Sequence, residues 1–364
     1  MRNYLQLLQA YRGLAAIAVL IYHLGLLAER RIGTELLSGL THAGEVGVDF
    51  FFVLSGFIIL HIHWRDLGRA DTGPRYLAKR VFRIYPILLI ITGVKFAYVL
   101  VGGGGIEEDA LTPEKVIASF LLIPLSPGDF PMITVAWTLM HEMLFYLLFL
   151  LAILYGSRFA AVMAVAWAVA TVALQLGWGG RLGGMPGFVF SSYNLQFLLG
   201  CAVVLVLRRD WISPRLALVL IATAAAMLVT ATVALEHVLA WSQLGQRLFW
   251  GLAFAVLVAG SVAWENRRRT PVPRSLCLLG DASYSIYLVH SQVQMAGVVV
   301  AERLGWIAPG QGLPMLLLIG AASLLGGVVF WAVVERPILK HSRRWLDRML
   351  PGKVDQHAAT KLHP

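Results

Sequence analysis

The sequence is poor in charge, poor in cysteine and without a long polar stretch. Only 14% of its 364 residues are Asp, Glu, Lys or Arg. A water-soluble chain of this length would expose far too much apolar surface with so few. There are two cysteines, Cys201 and Cys277, both in or beside apolar segments and neither near a second ligand at metal spacing. That gives no disulfide framework and no zinc pattern, so no metal is expected. No segment is polar enough to fold as a soluble domain, and no internal repeat or low-complexity tract is evident. Acidic residues are outnumbered by basic ones, 20 to 30, for a net charge of +10. The excess cations sit in short connections between apolar runs. They read as a topology signal, and no nucleic-acid partner is expected.

What is present is apolar. Hydrophobic residues make up 58% of the chain, and the mean hydropathy is +0.73. Runs near the ~20 residues that a bilayer's hydrocarbon thickness demands recur throughout. They predict an all-α polytopic membrane protein with about ten spans. These lie near residues 10–28, 44–63, 84–102, 135–154, 157–176, 192–207, 215–235, 243–263, 281–301 and 314–334. Leu111–Leu125 is shorter and flanked by prolines, so it is expected to be interfacial or re-entrant. Gly177–Gly187 reads as a loop. The first run has no small-x-small cleavage site before Glu29–Arg31 and carries a histidine, so it is expected to be retained. Residues 1–340 form one membrane domain, and residues 341–364 are expected to be a disordered cytoplasmic tail.

Orientation follows from Lys and Arg. The connection after span two holds Arg65, Arg69, Arg75, Lys79, Arg80 and Arg83. Those after spans six and eight hold Arg208, Arg209 and Arg215, and Arg267, Arg268, Arg269 and Arg274. The tail adds Lys340, Arg343 and Arg344. All fall on one side, which places both termini in the cytoplasm. The opposite connections carry Glu107, Glu108, Asp109 and Glu236.

Ionisable residues inside the spans cost at least about 2.5–3.5 kcal/mol each at mid-bilayer, which makes each a functional candidate. His23 follows Arg12 by eleven residues, or roughly 16 Å along the first helix. Asp49 lies about one turn into span two. Glu142 lies roughly 10 Å into span four. By depth, His23, Asp49 and Glu142 form an outer-half group. A second group gathers at the cytoplasmic rim: Arg12, Arg80, Arg83, Tyr284, Glu335 and Arg336. Guanidinium groups fixed at one level suit an anionic, phosphate-bearing ligand. Histidine is the usual general base near neutral pH, and a nearby carboxylate would orient it. Trp137 and His290 are candidates for contacting substrate. His61 and His63, at the inner end of span two, read as interfacial. Tyr and Trp near span ends read as belt anchors.

Several motifs form an ordered set. Tyr11-Arg12-Gly13-Leu14-Ala15-Ala16 with Tyr22-His23 comes first, then Gly47-Val48-Asp49-Phe50-Phe51-Phe52-Val53-Leu54-Ser55-Gly56-Phe57. Lys79-Arg80-Val81-Phe82-Arg83-Ile84-Tyr85-Pro86 and Ala136-Trp137-Thr138-Leu139 with Glu142 and Phe145-Tyr146 follow. The last are Leu279-Gly280-Asp281-Ala282-Ser283-Tyr284-Ser285-Ile286-Tyr287-Leu288-Val289-His290 and Glu335-Arg336-Pro337. In order and spacing the set resembles the membrane-bound acyltransferase 3 family, in wording closest to its exopolysaccharide-production acetyltransferase branch.

That resemblance implies a bacterial inner-membrane O-acyltransferase. Acetyl-CoA from the cytoplasm would be the acyl donor, and a carbohydrate or lipid-linked glycan would be the acceptor. His23 matches the family's essential histidine, Arg12 its first-helix arginine, Arg80 and Arg83 its donor motif, and Glu142 its central acid. Two positions depart from the family: Phe82, where many members carry a further arginine, and His141, where a non-ionisable polar residue is common. The alternative is a transporter or flippase of a lipid-linked glycan. It shares the spans and the buried charges, but it predicts an inverted repeat.

Overall fold

A computed structural model of the protein describes residues 5–33, 36–101, 111–125, 129–178, 182–234, 237–238, 240–268, 270–306 and 312–350. Among these, all regular structure is helical and no strand occurs. Helix α1 (Gln6–Ile32) is followed by a 3-10 stretch, Leu36–Val46, and by α2 (Gly47–His63). Then come α3 (Gly73–Leu100), α4 (Pro113–Leu121), α5 (Trp137–Tyr155) and α6 (Ser157–Trp178). A short α7 (Gly184–Val189) leads to α8 (Asn194–Leu207), α9 (Pro214–Val233) and α10 (Gln243–Arg267). Helices α11 (Arg274–Asp281), α12 (Ser283–Arg303), α13 (Leu313–Phe330) and α14 (Arg336–Met349) complete the chain, the last two joined by a π turn, Trp331–Glu335.

The helix starts follow local chemistry. Pro113 and Pro214 occupy first turns, where a missing N–H costs nothing. Thr112, Ser213 and Ser242 accept hydrogen bonds from the N–H groups of Lys115, Leu216 and Gly245. The start of α1 is capped from another helix. Buried Glu265 of α10 accepts from the N–H groups of Gln6 (2.6 Å) and Leu7 (3.2 Å).

The bundle is a polytopic membrane protein. Among the described residues nine helical stretches are long and apolar enough to cross a bilayer. The expectation was about ten. The difference is α12, which has 21 residues but is diluted by Ser283, Ser285, His290, Ser291, Gln292 and Gln294. It lies inside, packed on α1 and α13, so it faces protein more than lipid. Helices α6 and α9 show the opposite pattern: Val162, Val165, Val169, Leu218, Val219 and Val229 are all exposed, as lipid-facing positions must be.

The inner helices meet through small residues. Helices α2 and α8 approach so closely that a Cβ added at Gly56 would lie 2.0 Å from the Phe197 carbonyl oxygen. One added at Gly200 would lie 2.0 Å from that of Val53. Such contacts drive helix association where lipid competes for every apolar face.

Three expectations need correction. Arg75, Lys79, Arg80 and Arg83 are not in a connection. They form the first turns of α3, because nothing between Gly73 and Pro86 breaks the helix and Pro86 is tolerated inside it. Gly177–Gly187 is not wholly a loop, since α7 begins at Gly184. Residues 341–349, assigned to a tail, continue the amphipathic helix α14, and Leu346 is buried. Residues 351–364, Glu107, Glu108, Asp109 and Glu236 lie outside the described residues.

Candidate active site

A cavity of about 800 Å³ opens between α1, α2, α3, α5, α12, the π turn and α14. Its polar wall carries the rim residues expected from the sequence: Arg12, Arg80, Arg83, Tyr284, Glu335 and Arg336. Lys340, Arg343 and Arg344 of α14 join them. Elsewhere the wall holds Phe51, Thr138, Glu142, Tyr146 and Tyr287.

The arginines are held in different ways. Arg83 Nη1 donates to Glu335 Oε1 at 2.6 Å, and the guanidinium lies 5.0 Å from the centre of the Tyr284 ring. Glu335 is fully buried and its second oxygen accepts from Ser285 Oγ at 2.6 Å. The π turn places it: the Arg336 N–H reaches back five residues to the Trp331 carbonyl, ahead of Pro337. Arg12 Nη1 donates to Gln9 Oε1 at 2.8 Å, and Gln9 Nε2 donates to Asp281 Oδ1 at 2.8 Å. Asp281 is the last residue of α11, where burial pushes its carboxyl up against the opposing pull of Arg12. Tyr284 donates its hydroxyl to the Ile84 carbonyl at 2.9 Å, tying α12 to α3.

Glu142 belongs to this cavity. Ser55 Oγ donates to it at 3.2 Å, and Tyr146 donates its hydroxyl to the same oxygen. One turn earlier on α5, Thr138 Oγ1 and the Tyr287 hydroxyl are 3.0 Å apart. The Tyr287 ring packs on Phe51 at 6.0 Å and on His290 at 6.1 Å.

Beyond Tyr287 two imidazoles face each other. The centroids of His23 and His290 are 5.0 Å apart. Nδ1 of His23 lies 2.9 Å from the Val19 carbonyl, and Nδ1 of His290 lies 3.0 Å from that of Ile286. A carbonyl only accepts, so each Nδ1 carries the proton and each Nε2 keeps a lone pair. His290 is fully buried, and its Nε2 has no partner among the described residues.

The depth grouping of His23, Asp49 and Glu142 does not become a contact. Among the described residues no hydrogen bond joins His23 to either acid. Asp49 is fully buried in an ion pair, with Arg247 Nη1 at 2.9 Å from Oδ2 and Gln196 Nε2 donating to Oδ1. Arg247 Nη2 reaches Glu45 at 2.8 Å, and its guanidinium lies over the Tyr193 ring at 4.3 Å. Arg247 thus bridges Asp49 on α2 and Glu45 in the preceding 3-10 stretch, and such pairing is what makes a buried charge affordable. Trp137 is also apart from the cavity wall. It stacks in an aromatic group with Phe52, His141 and Tyr193. His141 is held by Asn194, with Nδ1 and Oδ1 2.9 Å apart.

Arg247 and Gln196 were missed from sequence. The signal was available: two acids four residues apart at the start of span two, Glu45 and Asp49, needed a cation at the same depth, and Arg247 stands near the start of an otherwise apolar run. Tyr146 and Tyr287 lie within the sequence motifs, but the motifs alone gave them no role.

Comparison with known proteins adds the following. A family described as "Acyltransferase domain" matches residues 6–332. The exopolysaccharide production protein ExoZ of Rhizobium meliloti (strain 1021) is 32% identical over 308 residues, covering 82% of this chain and 91% of that protein. The acyltransferase MdmB of Streptomyces mycarofaciens is 27% identical over 389 residues, covering 98% and 96%. No solved structure matches.

Proposed function

The chain belongs to this acyltransferase family, and on that premise we propose that it is an O-acetyltransferase of the bacterial inner membrane, using cytoplasmic acetyl-CoA to acylate a hydroxyl of an exopolysaccharide or other envelope glycan. One observation carries the reading. A single cavity has arginines on its polar wall and Tyr287 in its lining, with His290 packed on that ring and His23 packed on His290.

In this reading the cationic wall, on the cytoplasmic side, takes the phosphates of CoA. Fixed guanidinium groups are suited to that role. The thioester extends past Tyr287 toward the histidines. His23 acts as general base through Nε2, since Nδ1–H is committed to Val19. The sugar hydroxyl gives its proton to Nε2 as its oxygen attacks the thioester carbonyl. The C–S bond breaks, the ester stays on the sugar, and the departing thiolate takes the proton from His23. Glu142 acts at the donor end, holding Tyr146 in the cavity wall, and Asp49 holds α2 to α10. The name of ExoZ favours an exopolysaccharide acceptor.

The test is transfer of labelled acetyl from acetyl-CoA to envelope polysaccharide by membranes carrying wild-type or His23→Ala protein. Transfer should fall by about 10²–10⁴-fold, the range of a lost general base. Undiminished transfer would rule the mechanism out. Mass spectrometry of glycans from a deletion strain identifies the acceptor.

A further inference from the structure

His63, the last residue of α2, is buried to 5% exposure. Its Nδ1 lies 2.7 Å from Asp66 Oδ2 and its Nε2 lies 3.2 Å from Arg80 Nη2. These two partners fix the tautomer. A guanidinium can only donate, so Nε2 must hold the lone pair. Nδ1 then carries the proton and donates it to the carboxylate. The ring has little freedom to turn, being edge-on to Tyr76 at 4.9 Å and against Phe149 at 6.3 Å.

Arg80 is supported on its other sides by aromatic faces. Its guanidinium carbon lies 5.7 Å from the Tyr76 centroid and 5.6 Å from that of Tyr146. Among the described residues no carboxylate lies within ion-pair distance of it, and its Nε has no hydrogen-bond partner. Arg83, three residues on, is paired with buried Glu335 at 2.6 Å. The two arginines of the same wall therefore differ. The charge of Arg83 is compensated by the protein, whereas Arg80 is oriented by neutral groups and keeps its charge for a ligand.

We infer that His63 is a positioning residue for the acyl donor: as the neutral tautomer set by Asp66, it fixes the Arg80 guanidinium in the cavity wall without neutralising it. A carboxylate in its place would orient Arg80 equally well but would compete with the donor's phosphates. This inference rests on reading the cavity as the acyl-CoA site. It also changes the status of His63 from an interfacial side chain to part of the donor site.

The test uses the full-length protein in lipid nanodiscs, with steady-state KM and kcat for acetyl-CoA. His63→Phe keeps the ring packing and removes the acceptor. It should raise KM roughly tenfold, the scale of a lost hydrogen bond to a charged group, with kcat within about twofold. His63→Gln can still accept from Arg80 and should stay within about threefold of wild type. In an Arg80→Gln background, His63→Phe should add nothing further to KM. Should His63→Phe not fold, His63→Met takes its place with the same expectation. An unchanged KM in a folded His63→Phe protein overturns the inference, as does His63→Gln being impaired as much as His63→Phe. If Arg80→Gln leaves KM unchanged, the placing of the donor on this wall fails, and the inference with it. If Arg80→Gln raises KM and the His63 variants do not, only the inference fails.

Discussion

His23 and His290 present their imidazoles to each other across α1 and α12, with centroids 5.0 Å apart and ring planes at 65°. Each ring is held through Nδ1 by the carbonyl four residues before it, and Nε2 of His290 has no partner among the described residues. A fully buried nitrogen without a partner, as in His290, costs about 1–3 kcal/mol. Replacing His290 with Leu should therefore leave the melting temperature unchanged or raise it, while acetyl transfer falls at least about tenfold. Thermal unfolding and transfer assays on one preparation check both halves. A lower melting temperature would mark His290 as structural.

Asp49 and Arg247 make the opposite prediction. Arg247→Met should destabilise the protein by about 3–5 kcal/mol, since it leaves buried Asp49 without its cation; Asp49→Asn should cost less, because Arg247 keeps Glu45. The pair Asp49→Leu with Arg247→Met should recover most of that loss. His23→Ala, in a half-buried position, should cost far less. Melting curves in matched nanodiscs separate these cases.

Donor binding should be visible as stabilisation. At a CoA concentration about 100 times the dissociation constant, the bound form gains about 2.7 kcal/mol over the free one. The rise in melting temperature should vanish in Arg12→Ala and Arg80→Ala proteins and persist in His23→Ala. A flippase of lipid-linked glycan would show no rise with CoA.

Topology is open to chemical labelling. After Cys201 and Cys277 are replaced by Ala, single cysteines at Arg209, Arg268 and Arg343 should react with an impermeant thiol reagent only when the cells are opened. One at Leu40, before α2, should react in intact cells. Reaction of the Arg343 position in intact cells would invert the assignment.

How far the sequence revealed the molecule depended on the kind of information needed. Hydropathy is local, so most spans were legible, though the charged start of α3 was not, and the ordered motifs pointed to Arg12, Arg80, Arg83, Glu335 and His23. Depth along a helix was legible only in part: Glu142 meets Ser55, which lies roughly 9 Å past Asp49 along α2. Rotation about the helix axis was not. Asp49 turns to α10, Glu142 turns to the cavity, and His23 turns to α12. The partner of Asp49 is 198 residues away, and only the packing of α2 against α10 brings the two together. His63 was read as interfacial for the same reason: its meaning lies in Arg80, on another helix.

The π turn at Trp331–Glu335 sets the phase of everything after it. An ordinary helical turn would need one residue fewer, and each residue rotates a helix by about 100°. Deleting a single residue there would let α13 and α14 run as one regular helix. It would also swing Lys340, Arg343 and Arg344 off the cavity wall while leaving every one of them in the chain. The cationic wall thus depends on a counting irregularity in the backbone as much as on the arginines themselves.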